Sequence, residues 1–133
     1  MKKKIAFLFA LVGAAVLFAG CSSLQTADSS KFSGQQITSS GTGVAHISGY
    51  SSGLYLLWIP LIVGSTEAPG TIALGEDSCN VTAVTKMITK QAKSMNAAGT
   101  VDLVSTCDST NIPIPFPFLF YIKTATVSGN AVK

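Results

Sequence analysis

The sequence predicts an α+β domain, a small and mainly antiparallel sheet with one amphipathic helix packed on one face, in the order strand-strand-helix-strand-strand. Three observations predict it. Val81, Val84, Ile88, Ala92 and Met95 recur at spacings of three and four, which puts them on one side of a helix. Segments rich in β-formers flank that helix on both sides, and clusters of Gly, Ser, Asp and Asn punctuate them.

Residues 44–50 have strand-like content, and Ser51-Ser52-Gly53 reads as a turn. The run Leu54-Tyr55-Leu56-Leu57-Trp58-Ile59-Pro60-Leu61-Ile62-Val63 is too short to cross a bilayer, and its proline would disrupt a buried helix. A mostly buried strand is favoured, with Pro60 at its end, at a bulge or on an unpaired edge. The alternative is a membrane-contacting or partner-binding patch centred on Trp58.

The helix is expected over about residues 80–98, with Glu76, Asp77 and Ser78 supplying caps and negative charge at its start. Lys86, Lys90 and Lys93 lie in its later turns as a solvated side, and Gly99 stops it. Residues 100–107 alternate as a strand with Val101, Leu103, Ser105 and Cys107 on one face, and Asp108-Ser109-Thr110-Asn111 reads as a turn. In Ile112-Pro113-Ile114-Pro115-Phe116-Pro117-Phe118, three prolines lack the amide hydrogen that a helix or central strand requires. The segment is expected to be an extended connector covered by its own Phe side chains. An exposed docking strip formed by Pro113, Pro115, Phe116, Pro117 and Phe118 is the alternative. Residues 119–132 are rich in β-formers and are expected to close the sheet.

Upstream of this domain, Lys2, Lys3 and Lys4 precede an apolar stretch from residue 5 to 18 and then Ala19-Gly20-Cys21. Those are the parts of an export signal: a basic start, an apolar stretch too short to remain as a span, and a small-residue cleavage region. The region resembles the signal of bacterial lipoproteins, whose lipobox carries a small pair before an obligatory cysteine; Leu17 lies one position earlier than the usual leucine, with Phe18 in its place. The resemblance implies that residues 1–20 are removed and that the Cys21 thiol receives a diacylglycerol, with palmitate-type acyl chains anchoring the mature protein to a membrane. Ser22 after the cysteine, rather than Asp, resembles the sorting pattern for the outer membrane facing the periplasm in double-membraned cells. The order helix, Gly99, Val101-Asp102-Leu103-Val104 and Thr126-Val127-Ser128-Gly129 is loosely similar to small envelope lipoproteins, a resemblance that carries no catalytic residue.

Removing Lys2, Lys3 and Lys4 cancels the formal charge of +3 and leaves six lysines against six acidic residues. Arginine is absent, so bidentate recognition of phosphates and bases has no residue to perform it, and nucleic acid is set aside as a partner. Residues 21–43 are dominated by Ser, Thr, Gly and Gln and are expected to be a flexible tether holding a single domain, residues 44–133, on the order of 25 Å from the lipid.

Two cysteines remain, Cys79 and Cys107. A helix of roughly 27 Å at 1.5 Å per residue followed by a reversing strand of about 26 Å at 3.3 Å per residue returns them to the same end. A Cys79–Cys107 disulfide, suited to an oxidising exported compartment, is therefore favoured over two unpaired thiols. The single histidine, His46, has no nearby carboxylate or cysteine spacing that makes a metal site. No catalytic residue, metal site or cofactor is predicted. The leading expectation is a non-enzymatic interaction or assembly module with an envelope protein partner. A small-ligand carrier or sensor with an apolar pocket between helix and sheet, lined by Trp58 and Phe residues, stands beside it. A Cys/His enzyme using His46 and a free thiol comes third. The oligomeric state is left open by the sequence.

Overall fold

The computed structural model describes residues 20–113 and 118–133. Six strands and one α-helix follow in the order β1 (Ser22–Asp28), a 3-10 turn (Ser29–Phe32), β2 (Gly43–Leu56), β3 (Ile59–Gly64), β4 (Ile72–Leu74), α1 (Val81–Ser94), β5 (Gly99–Ile112) and β6 (Phe120–Val132). All pairings are antiparallel in one sheet of order β4-β3-β2-β6-β5, with β1 also paired to β2. Strands take up 52% of the described residues, so the fold is sheet-dominated with a modest helix on one face, and the expected α+β class with four strands is overturned.

β1 and the three-residue β4 are the two strands beyond the expected four, and three local features differ from the sequence reading. Ser22–Asp28, expected to lie in the tether, forms β1 because β2 offers it an open edge: seven residues pair from Ser22↔Ser51 to Asp28↔Ala45. Pairing satisfies backbone groups whatever the side chains are, and Leu24 adds a contact to the core. Next, Ser51-Ser52-Gly53 is not a turn. β2 runs through it for fourteen residues, because Ser51 Oγ donates to Gly64 O (3.1 Å), and Gly53 leaves room for Val63. The reversal falls instead at Leu57-Trp58, inside the apolar run, with Leu57 at φ 55. Leu56 pairs with Ile59 across this two-residue loop, and Pro60 occupies an irregular register beside Tyr55. Finally, β5 continues through the expected turn at residues 108–111 to Ile112.

β1 and β3 share one edge of β2 end to end, β1 against residues 45–51 and β3 against 53–56. The opposite edge of β2 is paired along its length with β6, and β6 carries β5 as the outermost strand. The sheet therefore ends in the fourteen-residue β5 on one side and, on the other, in the seven-residue β1 beside the three-residue β4.

The core lies between α1 and one face of the sheet. Ala45, Ile47, Ser51 and Tyr55 of β2 are buried on that face with Ala125, Val127 and Ala131, against Val84, Met87, Ile88 and Ala92 of the helix. Burying Val84, Met87 and Ile88 contributes about 1.5–3 kcal/mol each. Gly49 lets the helix approach, since a Cβ there would stand 2.7 Å from Ile88 Cγ2 and 2.8 Å from Met87 Cε. The helix starts later than Glu76-Asp77-Ser78 suggested: its N-cap is Asn80, whose Oδ1 accepts from Ala83 N at 2.8 Å. It closes at Met95, with Asn96 left-handed at φ 58, four residues before Gly99. On β5 the register shifts between Val101 and Val104, with Asp102 at φ 54. This shift puts Val101 on the face opposite Cys107, contrary to simple alternation.

Candidate functional site

The site with the most unusual geometry surrounds Cys21, where β1 begins and β3 ends. Residues 1–19 lie outside the described residues, while Gly20 and Cys21 are within them. Ser52 N donates to Cys21 O at 2.8 Å, and Cys21 N donates to Ser52 Oγ at 3.3 Å. Ser22 Oγ donates to Ser65 O at 2.6 Å, and Gly70 N donates to Ser22 O at 3.0 Å. Both ends of the shared edge are thereby tied together, and the chain crosses directly over Gly64. A Cβ on Gly64 would lie 2.2 Å from Cys21 C and 2.4 Å from Ser22 N, and one on Gly20 would lie 2.6 Å from Ile62 Cγ2. Cys21 itself is exposed. Position 21 thus opens directly into the sheet, and no coil of 22 residues separates it from the fold.

Register then assigns each residue to a face. Odd-numbered positions of β2 point to α1, so Ser52 and its row point to the other side, together with Cys21 just before β1, Thr124 on β6 and Asp108 on β5. On the helix-free face, this row divides two unlike halves. Toward β1, the face carries Tyr50, Ser48, His46, Thr126 and Ser128. Toward the Leu57-Trp58 loop it carries Leu54, Leu56, Ile122, Phe120, Ile62 and Leu74. Lys123 is not part of that apolar half, because it projects to the helix side with Nζ 4.3 Å from the Tyr55 ring centroid.

At the far end of the apolar half, two loops meet. Leu57 N donates to Leu119 O at 2.8 Å, which brings Trp58 and Phe118 to one tip of the sheet. Trp58 is 76% exposed and Phe118 72%, with Leu57, Ile59 and Leu119 also exposed. Trp58 is therefore neither a core residue nor the lining of a pocket under the helix, as two of the expectations had it. A hairpin loop turns it outward. Pro113 is exposed; Pro115, Phe116 and Pro117, named with it as a docking strip, lie outside the described residues.

The expected Cys79–Cys107 bridge is not formed, and the described cysteines are free thiols. Cys79 Sγ is buried over β2 and β6, within donating distance of Ser51 O (3.2 Å) and Lys123 O (3.0 Å). Cys107 sits one strand further out, opposite Ala125, and is exposed. Burial, with Cys107 as a smaller contribution, pushes the Cys79 thiol up to about 11. Nearby, Tyr55 Oη donates to Asp77 Oδ1 at 2.5 Å, and burial followed by this hydrogen bond raises its pKa. Asp77, expected as a helix cap, serves as the acceptor for a core tyrosine.

His46 is exposed on the helix-free face, with Nδ1 2.8 Å from Asn130 Oδ1. Asn130 Nδ2 donates to Asp102 Oδ2 (3.0 Å) and to Ile37 O (3.1 Å), and hydrogen bonds from Thr38 and then Asn130 lower the Asp102 pKa. This chain ties the β5 irregularity and the segment after the 3-10 turn to the sheet. Cys79 and Cys107 lie on the helix side of the sheet, about five residues along the strands from His46 on the other face, roughly 17 Å at 3.4 Å per residue, so the sheet separates His46 from both thiols. Among the described residues no group of His, Cys, Asp and Glu could hold a metal ion, and no helix is long and apolar enough to cross a membrane. Surface depressions of about 380 Å³ beside Ser29, Phe32 and Ile37 and about 280 Å³ beside Thr89 and Lys93 lie away from the Cys21 row. No protein-family model, curated protein or solved structure matches the chain.

Proposed function

We propose that this chain is an exported lipoprotein, held to a membrane through Cys21, whose sheet domain serves as a non-enzymatic interaction or assembly module in the cell envelope. The observation that carries the reading is the run from Lys2-Lys3-Lys4 through an uncharged apolar stretch to Ala19-Gly20-Cys21. An exposed Cys21 supports it, since the thiol that would take the lipid points away from the core. Acyl chains anchor through about 0.8 kcal/mol per buried methylene, and two chains hold firmly where one holds reversibly. Ser22 at the next position favours the outer membrane in a double-membraned host.

The test is mass spectrometry of the N-terminal peptide from membranes, with incorporation of labelled palmitate. A mature chain starting at Cys21 with a thioether-linked diacylglycerol is expected, and Cys21→Ser is expected to release the protein from the membrane fraction. A mature terminus at another residue, or unchanged fractionation of Cys21→Ser, overturns the reading. Crosslinking in native membranes then identifies the protein partner.

A further inference from the structure

We infer that the apolar half of the helix-free sheet face, together with the Trp58–Phe118 tip, lies against the lipid bilayer and sets the orientation of the whole domain. The inference rests on the lipid-anchor reading of Cys21. Three features of the face argue for lipid as its occupant.

The first is the position of the anchor. Cys21 lies on the same face as Leu54, Leu56 and Ile62, in the row that separates the polar half from the apolar half. Its backbone is fixed by Ser52, so a lipid on its sulfur cannot be carried away on a tether. Leu54 begins two residues beyond that row, about 7 Å at 3.4 Å per residue, and the tip lies about 17 Å from it. One bilayer meets both the lipid and the tip when the sheet is inclined with this face down.

The second is charge. Neither residues 54–63 nor residues 118–122 contain a charged side chain. Lys86 and Lys90 lie on α1, where they pair with Glu67, and Lys123 leans over Tyr55 on the helix side. Asp108 is the charged residue in the dividing row, at the outer strand, where water remains in reach. The third is chemistry at the tip. An exposed Trp beside exposed Phe, Leu and Ile side chains suits the interfacial region, where amphipathic rings settle. Signal removal adds to the surface, because Gly20, which covers Ile62, leaves with residues 1–19.

Trp58 is the chain's single tryptophan, so its emission reports this contact without labelling. Full-length lipidated protein is reconstituted in phosphatidylcholine–phosphatidylglycerol vesicles with and without brominated acyl chains, and the N-terminal peptide of the same sample is weighed. Bromine is expected to reduce Trp58 emission by at least half, and iodide in the water is expected to quench it less than in the soluble Cys21→Ser form. Leu74→Glu, at a site 74% exposed and therefore tolerant of the change, is expected to weaken the bromine effect while circular dichroism and lipidation stay unchanged. If the peptide carries lipid yet bromine leaves the emission untouched and iodide quenches fully, the face is not on the bilayer, although the anchor stands. Crosslinks from the tip to a protein, with no bromine effect, overturn the inference in the same way. If the peptide carries no lipid, the anchor reading falls and the orientation falls with it.

Discussion

Replacing Gly64 with Ala places a methyl group where the backbone of Cys21 and Ser22 already lies, at 2.2–2.4 Å from three of its atoms. A flexible side chain could rotate aside, but a paired backbone cannot, so the start of β1 must lift from the sheet. Lifting it forfeits the Ser52–Cys21 pair of hydrogen bonds, the Ser22 hydroxyl bond to Ser65 and the Gly70 bond to Ser22. At about 1 kcal/mol net for each such bond, with water recovering part of the loss once the segment lifts, the expected cost is about 2–3 kcal/mol. For a domain of this size that lowers the melting temperature by on the order of 10 °C. Gly99→Ala is the matched control: nothing lies within 4 Å of the added Cβ, and it is expected to shift stability by less than about 0.5 kcal/mol. Urea unfolding of the soluble Cys21→Ser form, read by circular dichroism, measures both, and hydrogen exchange at the Ser52 amide locates the damage. An unchanged urea midpoint with the Ser52 amide still protected would refute the crossing of Cys21 over Gly64, and with it the placement of Cys21 on the helix-free face.

Three further expectations follow from the same geometry. Asn80→Ala removes the acceptor for Ala83 N and is expected to cost about 1 kcal/mol, measured by the same unfolding assay. The folded-state pKa of Cys79 is raised above the ordinary value of 9.0 to about 11, so the stabilisation tied to its neutral thiol is complete below pH 9 and is lost as pH rises toward 11. Stability should therefore fall across that window and fall less in Cys79→Val, while iodoacetamide at pH 8 should modify exposed Cys107 well before Cys79. Leu57 holds a left-handed backbone that costs a bulky residue about 1 kcal/mol or more, so Leu57→Gly should leave the melting temperature unchanged or higher; a drop of several degrees would mean that the side chain is structurally required.

Periodicity made the helix legible, since Val84, Ile88 and Ala92 bury as their spacing requires. The terminal strand was readable too: β-formers from residue 119 onward become β6. Composition misled at Ser22–Asp28, because a strand added to an open edge is held by its backbone and needs little apolar surface. Ser51-Ser52-Gly53 misled for a related reason. Its small side chains serve close approach and hydrogen bonding inside the sheet, while the true reversal sits on Leu57 and Trp58, residue types with no turn preference. The four-strand α+β expectation fell short by two strands, β1 and the three-residue β4, while the misplaced turn moved the boundary between β2 and β3 without changing their number. At the candidate site, the sequence singled out Cys21, Trp58 and Phe118 one by one. Only the strand register puts Cys21 on the helix-free face, and only the Leu57 N to Leu119 O hydrogen bond brings Trp58 and Phe118 to one tip of the sheet.

The unequal flanks of the sheet limit how copies of this chain could join. β5 presents fourteen residues of outer strand, studded with Asp102 and Asp108, whereas the opposite flank is split between the seven-residue β1 and the three-residue β4. The longest shared template is β5 to β5, which occupies the long outer strand on each of two molecules. A union of that kind closes at two, whereas β5 laid against the shorter β1 of another copy would leave a strand free at each end for further growth.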